Sequence, residues 1–305
     1  MGAGGLGGYY GGLLAAAGHE VIFIARGAHL EAIRRNGGVR VRATDREFFG
    51  RGAAAERPPD DPTDLVLFTV KAYDTPAAAE WIRPAVGPQT AILSLQNGVD
   101  NEENLVREHG AGAVLGGLVY IFANIAEPGV IAQTGGPRRV LFGELTGERS
   151  ERVSGLEATL QAAGWLVSAS DDIIREKWVK FAFICAQAGM TALTRLPIGE
   201  VRATPPTWEM FRQIVEEVVA VGRARGVQLG QEVIDAHLAF GQSLEASGRS
   251  SLYHDLAHGH RLEIEALHGT VVRYGRDAGV PTPASAAVYA ALLPHDRLAR
   301  QGGGA

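Results

Sequence analysis

The chain has 305 residues, of which 46% are hydrophobic, and it carries a formal net charge of −5 at pH 7. A chain of this size can bury a large core and is typical of two domains. The mild charge forms no basic stripe, and the sequence has neither an apolar run of membrane length nor a signal-peptide pattern. We therefore expect a soluble cytoplasmic protein without nucleic-acid or membrane partners.

The first predicted element is a glycine-rich turn. Gly2, Gly4 and Gly7 match G-x-G-x-x-G, the pattern that seats the pyrophosphate of a dinucleotide, and Gly5 and Leu6 lie within it. The first glycine allows the tight turn, the second lets the backbone approach the phosphates, and the third lets the following helix pack on the sheet. We expect these five residues to bind a dinucleotide cofactor.

The flanks of this turn predict a β-α-β unit that lacks its first strand. Residues 6–17 predict a sheet-packed helix that Gly18 ends, and residues 21–24 predict a buried strand, which a flexible glycine linker would lack. In this fold the turn follows a strand, yet only Met1 precedes Gly2. We hypothesise that apolar strand residues precede Met1 in the native protein, which its intact mass would test.

The residue after the second strand bears on the choice of cofactor. An acidic residue there binds the ribose 2′-hydroxyl of NAD, whereas a basic residue accommodates the 2′-phosphate of NADP. Here the position holds Arg26, whose guanidinium is always charged and fits a phosphate. NADP(H) is the expected cofactor, and a solvated surface arginine is the alternative interpretation.

Two further strands are predicted to end in polar residues. Residues 65–70 form an apolar run of the parallel-strand type that ends in Lys71, and residues 91–96 end in Asn97. Ligands bind at the carboxyl ends of such strands, so both side chains are placed for cofactor or substrate. For Asn97, a simple Asn-Gly turn explains the local sequence equally well.

The character of the sequence changes near residue 170. Strands at 114–121 and 139–143 and a helix at 151–163 complete a dinucleotide-binding domain of residues 1–169. Residues 170–305 show helical periodicity and predict an all-helical substrate domain, so the fold class is α/β with a helical second domain. The apolar stretch 284–293 is compatible with a homodimer, although the domain's own core explains it as well, and the tail 300–305 is expected to be disordered.

Lysine usage singles out a catalytic candidate. Of the 29 basic residues only three are lysines, Lys71, Lys177 and Lys180, so ordinary surface cations in this chain are arginines. Lys180 lies on an aromatic, apolar helix, where desolvation would lower its pKa and suit it to donate a proton. The alternative for Lys180 is a lysine that extends its amine to solvent. The presence of Lys177, which follows Glu176, is attributed to chance.

The C-terminal half supplies further polar candidates. Glu263 and Glu265 are two residues apart and cannot share one helix face, so at most one should enter a site. His254 and His258 have the i, i+4 spacing of a zinc site, but Gly259 interrupts the pattern and we expect no metal. The single cysteine, Cys185, excludes an internal disulfide.

Together these motifs resemble the ketopantoate reductase (2-dehydropantoate 2-reductase) family, in order and over nearly the whole chain. The resemblance rests on the glycine turn with Arg26, Lys71 with its Ala-Tyr pair, Gln96-Asn97-Gly98, the helix around Lys177 and Lys180, Ser250-Ser251 with Asp255, Glu263-Ile264-Glu265 and residues 279–283. It implies NADPH-dependent reduction of ketopantoate to pantoate on the pantothenate route, with a small 2-oxo acid as substrate.

The resemblance also implies roles for single residues. Lys180 matches the general acid of the family, and Glu263 matches the carboxylate that orients this lysine and the substrate. Ser251 matches a contact to the substrate carboxylate, and Asn97 matches a residue near the nicotinamide that we also count toward the substrate site. Lys71, like Arg26, matches a cofactor contact.

One departure from the family puts the substrate in question. Members that reduce ketopantoate carry asparagines one and two turns after the catalytic lysine, where this chain has Ile184 and Ala188. Apolar side chains cannot select for a substrate hydroxyl, so their presence favours a different 2-oxo acid. Gln187 lies on nearly the same helix face and could replace one amide.

Two rival functions therefore stay open beside ketopantoate reduction. The first is a family paralogue that reduces a different 2-oxo acid or ketone. The second is a non-catalytic NADP-binding regulatory protein, against which the presence of both Lys180 and Glu263 argues.

Overall fold

The computed structural model describes residues 1–302 and divides them into two compact units. The first unit comprises Met1–Gln96 and Asn101–Ile173. The second comprises the short segment Asn97–Asp100 and the chain from Ile174 onward. Residues 300–302 end the last helix, which corrects the expected disordered tail at these positions, and residues 303–305 of that tail lie outside the described residues.

The first unit combines helices with strands, as the α/β prediction from the sequence requires, and its main sheet is mixed. Its helices are α1 (Gly5–Ala16), α2 (Gly27–Asn36), α3 (Thr75–Trp81), α4 (Asn101–His109) and α5 (Glu151–Ala162). Its strands are β1 (Ile22–Ile24), β2 (Gly38–Arg42), β3 (Glu47–Arg51), β4 (Ala53–Ala55), β5 (Leu65–Phe68), β6 (Ala91–Ser94), β7 (Val114–Glu127), β8 (Val130–Glu144) and β9 (Leu166–Ala169).

Seven of these strands form one sheet in the order β3-β2-β8-β7-β6-β5, with β9 beside β8. Strands β5, β6 and β7 are parallel, whereas β7 and β8 form a long antiparallel hairpin. Strands β1 and β4 form a separate parallel pair. Because β5 and β6 are parallel neighbours, the loops that follow them lie at the same edge of the sheet.

The first three residues are hydrogen-bonded to strands on both sides. The Met1 amine donates to the Leu67 carbonyl at 2.7 Å, and the Thr69 amide donates to the Met1 carbonyl at 3.0 Å. On the other side, the Ala3 amide donates to the Ile24 carbonyl at 2.8 Å. These bonds connect the segment before α1 to both β5 and β1, and the proposed upstream strand residues stay a prediction.

The β7–β8 hairpin extends beyond the strands predicted at 114–121 and 139–143. The residues added on β7 are mostly exposed, whereas those added on β8 mix buried side chains such as Val130 and Ile131 with exposed ones. No regular apolar alternation therefore marks the extension. Backbone pairing continues to Glu127 and Val130, and a turn with Gly129 at φ +80° joins the strands. A positive φ of this size favours glycine.

The second unit is helical, in agreement with the sequence prediction. Its helices are α6 (Ile173–Thr194), which begins at the last residue of the first unit, α7 (Ile198–Ala203), α8 (Pro205–Ala224), α9 (Gln231–Ser243), α10 (Ser251–Ala257), α11 (Thr270–Ala278) and α12 (Pro283–Gly302). A single turn of π-helix, Glu265–Gly269, precedes α11. The apolar core of this unit draws on α6, α8, α11 and α12, so the expected catalytic helix α6 is held by packing along its length.

Candidate functional site

The glycine turn leaves open space at one position and close backbone contacts at the others. A Cβ at Gly2, where φ is +89°, would lie 2.9 Å from the Val70 backbone, and a Cβ at Gly7 would lie 2.3 Å from the Gly2 carbonyl oxygen. A Cβ at Gly4 would meet no protein atom of the described chain within 4 Å. Gly4 therefore leaves room beside its backbone, the feature that close approach of a pyrophosphate requires.

Gly5 is needed for a different reason than cofactor approach. A Cβ at Gly5 would lie 2.1 Å from the carbonyl oxygen of Ala123, so the far end of β7 packs directly on the turn. Within the described part of the chain, no side chain caps α1 and no acidic residue occupies its first turn. The positive end of the helix dipole is thus available to a phosphate, beside Leu6 on the first turn.

Arg26 lies at the N-terminus of α2, and its guanidinium is 5.3 Å from the centre of the Trp81 ring. Arg57 lies 5.4 Å from the same ring, so one indole stacks with two exposed cations. Two like charges on one ring suit a dianionic group such as the 2′-phosphate of NADP. The sequence did not identify Arg57 or Trp81, although arginine and proline enrichment marks the Arg57 loop.

Polar contacts join the loops that follow β5 and β6. Lys71 is partly buried and begins a 3-10 turn after β5. The Gln96 side-chain amide donates to the Val70 carbonyl and to the Thr75 hydroxyl, both at 2.8 Å. These bonds fix the backbone that carries Lys71 at the carboxyl edge of the sheet.

Lys180 and Asn97, which are 83 residues apart in the chain, meet in the second unit. The Lys180 amine on α6 donates to the Asn97 side-chain oxygen at 2.9 Å. Asn97 follows β6 in sequence but belongs to the helical unit. The structure therefore brings together two of the residues that the sequence proposes for catalysis and substrate binding.

The pKa of Lys180 falls from its ordinary value of 10.5 to about 7. Burial of the amine is the main cause, the positive charge of Lys177 lowers the pKa further, and the negative charge of Glu263 opposes both. Lys177 has 4% of its surface exposed and lies one helical turn before Lys180, so chance is not a sufficient account of it. An amine with a pKa near 7 can both hold and release a proton at neutral pH.

The two glutamates near the π-helix have different surroundings. Glu263 is partly buried in the turn before the π-helix and acts on Lys180 through its charge. Glu265 accepts a hydrogen bond from the Tyr289 hydroxyl at 2.9 Å and lies 3.9 Å from the Arg273 guanidinium. Glu263 is therefore the carboxylate of this pair that influences the amine.

The remaining proposed substrate residues differ in exposure. Ser251, the first residue of α10, is exposed, whereas Ser250 is buried and caps that helix. On α6, Ile184 and Gln187 are partly buried, and Ala188 has 5% of its surface exposed and belongs to the apolar core.

Residues 1–302 lack a clustered metal site and a membrane-spanning helix. These residues contain no group of three or more histidine, cysteine, aspartate or glutamate side chains placed to hold a metal ion. In the same range, no helix combines the length and the apolar character needed to cross a membrane.

Family models cover most of the chain. Residues 1–147 match the model described as ketopantoate reductase PanE/ApbA, and residues 172–295 match ketopantoate reductase PanE/ApbA C terminal.

Individual proteins align with the chain over nearly its whole length. A 2-dehydropantoate 2-reductase of Archaeoglobus fulgidus is 34% identical, and the alignment covers 92% of this chain and 91% of that protein. An uncharacterized oxidoreductase of Bacillus subtilis, YkpB, is 29% identical over 97% of both chains. The crystal structure of a PanE/ApbA family ketopantoate reductase from Ralstonia eutropha is 34% identical, covers 98% of both chains and superposes with a TM-score of 0.90.

Proposed function

Because the chain belongs to the ketopantoate reductase family, we propose that it reduces 2-dehydropantoate to pantoate with NADPH as the reductant. In this reaction the 2-oxo carbon gains a hydride and its oxygen gains a proton, which gives a 2-hydroxy acid. NADPH supplies the hydride when bound. The protein must supply the proton, hold the substrate carboxylate and bind the dinucleotide.

The observation that carries the proposal is the Lys180–Asn97 pair. Because its pKa is about 7, Lys180 carries a proton on Nζ in about half of the molecules at neutral pH and can release it there. Asn97 accepts one of its hydrogen bonds at 2.9 Å. That bond orients the amine, so a remaining N–H can donate to the substrate carbonyl and pass its proton to the oxygen. The charge of Glu263 stabilises the protonated amine, and Ser251 is proposed to bind the substrate carboxylate.

The first unit fits a dinucleotide with a 2′-phosphate. The open space at Gly4 and the uncapped first turn of α1 suit the pyrophosphate. Arg26 and Arg57 on Trp81 suit the 2′-phosphate, and Lys71 adds a third cation to the cofactor residues. This arrangement supports NADP(H) over NAD(H).

A second candidate, a different 2-oxo acid as substrate, is favoured by the helix face beyond Lys180. Ile184 packs against the apolar core and Ala188 lies within it, so these positions offer no amide to a substrate hydroxyl. Gln187 is partly buried and is the one amide side chain nearby on α6. A less polar side chain on the 2-oxo acid would suit this face.

The test is NADPH oxidation by the purified protein with 2-dehydropantoate and with linear, branched and aromatic 2-oxo acids, repeated with NADH. We expect the highest kcat/KM with 2-dehydropantoate and NADPH. Lys180→Ala should reduce kcat by about two orders of magnitude or more and leave NADPH affinity within about twofold.

Each alternative result identifies a different function. A preference for another acid in the panel would support the second candidate and reject 2-dehydropantoate. NADPH binding without turnover of any acid would support a regulatory role and reject the enzyme proposal.

A further inference from the structure

The segment Asn97–Asp100 contacts the rest of the helical unit through three of its four residues, Asn97, Val99 and Asp100. Asn97 accepts a hydrogen bond from Lys180, Gly98 turns the backbone at φ +103°, and Val99 packs against the apolar core of that unit. Asp100 then bonds to α11. The segment therefore has a polar contact at each end and an apolar contact between them.

Asp100 lies in a small polar cluster with Thr270 and Arg273, which we call the Asp100 cluster. One Asp100 carboxylate oxygen accepts hydrogen bonds from the Arg273 guanidinium at 2.9 Å and from the Thr270 hydroxyl at 3.0 Å. The same Arg273 nitrogen also donates to the Thr270 hydroxyl at 3.0 Å. The Asp100 side chain has 18% of its surface exposed and Thr270 is fully buried, whereas the Arg273 side chain is 43% exposed. The Asp100–Thr270 bond is therefore the one shielded from water.

We propose that Asp100 is a positioning residue that, through Thr270 and Arg273, holds Asn97 at hydrogen-bond distance from the Lys180 amine. The inference deepens the proposed function, on which it rests, by adding residues that act through Asn97. None of the three was proposed from the sequence, because their contacts join positions about 170 residues apart in the chain.

The position of Asn97 depends on what holds the other end of its segment. Gly98 has an unusual backbone conformation and no side chain, so it offers little restraint of its own. Val99 makes apolar contacts, which have no preferred direction. They fix how deeply the segment lies in the core better than they fix its rotation. The charge-assisted hydrogen bonds of Asp100 are directional and therefore set the orientation that aims Asn97 at Lys180.

Arg273 extends this restraint to the carboxylate side of the proposed site. Its second terminal nitrogen lies 3.9 Å from Glu265, which begins the π-helix two residues after Glu263. Thr270 is also within hydrogen-bond distance of the Glu265 carbonyl, at 3.1 Å. The Asp100 cluster thus links the backbone that carries Asn97 with the backbone that carries Glu263.

The chain offers a direct readout of this positioning because it contains only three lysines. The Nζ signals of Lys71, Lys177 and Lys180 can be assigned by single Lys→Arg variants and titrated by nitrogen-15 NMR without substrate. The charged groups that act on Lys180 are Lys177 on its own helix and Glu263 before the π-helix. Neither of these two side chains is substituted in the variants compared below.

The experiment compares Asp100→Ala, Arg273→Ala and their double variant with the native protein. Loss of the Asn97 acceptor destabilises the protonated amine, so the Lys180 pKa should fall below its native value in all three variants. We expect kcat to fall between about tenfold and a hundredfold with the KM for NADPH unchanged. The double variant should lose no more than either single one, because both remove the same restraint.

Asp100→Asn and Arg212→Ala are the matched controls. Asparagine keeps an oxygen that accepts from Thr270 and Arg273, so Asp100→Asn should retain most of the activity. Arg212 forms exposed ion pairs with Glu209 and Glu216 in the same unit, and its loss should leave both kcat and the Lys180 titration unchanged.

A native Lys180 titration in folded Asp100→Ala would overturn the inference, and so would additive losses of kcat in the double variant. The titration requires no turnover, so it separates this inference from the proposed function. Should no 2-oxo acid be reduced, the proposed function fails, while the NMR result still decides whether Asp100 positions Asn97.

Discussion

Lys177 and Lys180 form the pair of like charges at the centre of the proposed chemistry. Two cations one helical turn apart repel each other, and Lys177 is buried with 4% of its surface exposed, where water screens this repulsion poorly. Lys177 therefore favours the neutral form of Lys180, and Glu263 favours the protonated form. The balance of the two neighbours sets the pH at which the amine can donate a proton.

Lys177→Met should raise the pKa of Lys180 above about 7, because it removes the neighbouring positive charge and keeps the length of the side chain. Lys180 would then stay protonated to higher pH, and the decline of kcat on the alkaline side would move upward. A shift of one unit would raise activity at pH 8 about fivefold, because the protonated fraction of Lys180 would rise from about one eleventh to about one half. The pH dependence of kcat, together with the Lys180 NMR titration, measures the effect.

Lys177→Arg provides the control because it keeps the charge. Its pH profile should match that of the native protein. If Lys177→Met had the native profile as well, the charge of Lys177 would have no part in setting the proton donor.

At this scale the sequence predicts individual residues better than their contacts. Lys180 stands out because lysine is rare in this chain, and Asn97 because it follows a strand. Their hydrogen bond joins α6 to a segment 83 residues earlier, which no local pattern shows. The sequence does not show the burial of Lys177, since that burial depends on the packing of the whole helical unit.

At the scale of elements, the glycine turn and α1 are the best predicted part of the chain. The structure separates the glycines by what surrounds them: Gly2 and Gly7 face protein backbone, and Gly4 faces open space. Adding one methyl group at Gly4 therefore tests ligand approach without introducing a clash inside the protein.

Gly4→Ala should fold normally and bind NADPH at least about tenfold more weakly, since its methyl group would occupy the space proposed for the pyrophosphate. Gly155→Ala is the matched control, because Gly155 is an exposed residue within α5 with no atom of another element close to its Cβ position. It should add about 0.5–1 kcal/mol of stability and leave binding unchanged. Calorimetric titration with NADPH measures the affinity of each variant, and thermal melting measures its stability. If Gly4→Ala bound NADPH as tightly as the native protein, the pyrophosphate would have to bind elsewhere.

Other elements were beyond sequence reasoning for physical reasons. In the outer half of the β7–β8 hairpin, β7 is mostly exposed and β8 mixes buried with exposed residues, so this part lacks the apolar alternation that reveals a strand. The π-helix at Glu265–Gly269 includes a shifted hydrogen bond from the Gly269 amide to the Ile264 carbonyl, five residues earlier. Its residues have ordinary helical character, and nothing in their order separates a π turn from an α turn.

At the scale of the whole molecule, the chain does not divide at a single point. The sequence placed residues 1–169 in one domain, because composition changes near 170 and nothing marks an earlier boundary. In the structure, Asn97–Asp100 belongs with the helical unit. Contacts far apart in sequence decide this membership, so the proposed proton donor and its hydrogen-bond acceptor lie in one compact unit.

The second unit also contains a buried histidine that should make its stability depend on pH. His268 is fully buried in the π-helix, and its Nε2 lies 3.0 Å from the Cys185 carbonyl oxygen. Gly189 leaves the space that the ring fills, since a Cβ there would lie 2.4 Å from Nε2. Burial lowers the pKa of His268 from 6.5 to about 4, so the folded protein keeps the ring neutral at pH values where the unfolded chain protonates it.

This difference predicts the direction of the pH effect. Above pH 6.5 neither the folded nor the unfolded state binds a proton at His268, so the residue does not reduce stability there. As the pH falls from 6.5 toward 4, only the unfolded chain binds the proton. The free energy of unfolding then falls by up to about 1.4 kcal/mol per pH unit. Between pH 6.5 and 4.5, the free energy of unfolding of His268→Gln should therefore decrease by about 2 kcal/mol less than that of the native protein, as measured by urea denaturation. His19→Gln, at an exposed histidine, is the control and should show the same dependence of unfolding free energy on pH as the native protein. If His268→Gln showed that same dependence, another group would be responsible for the loss of stability at low pH.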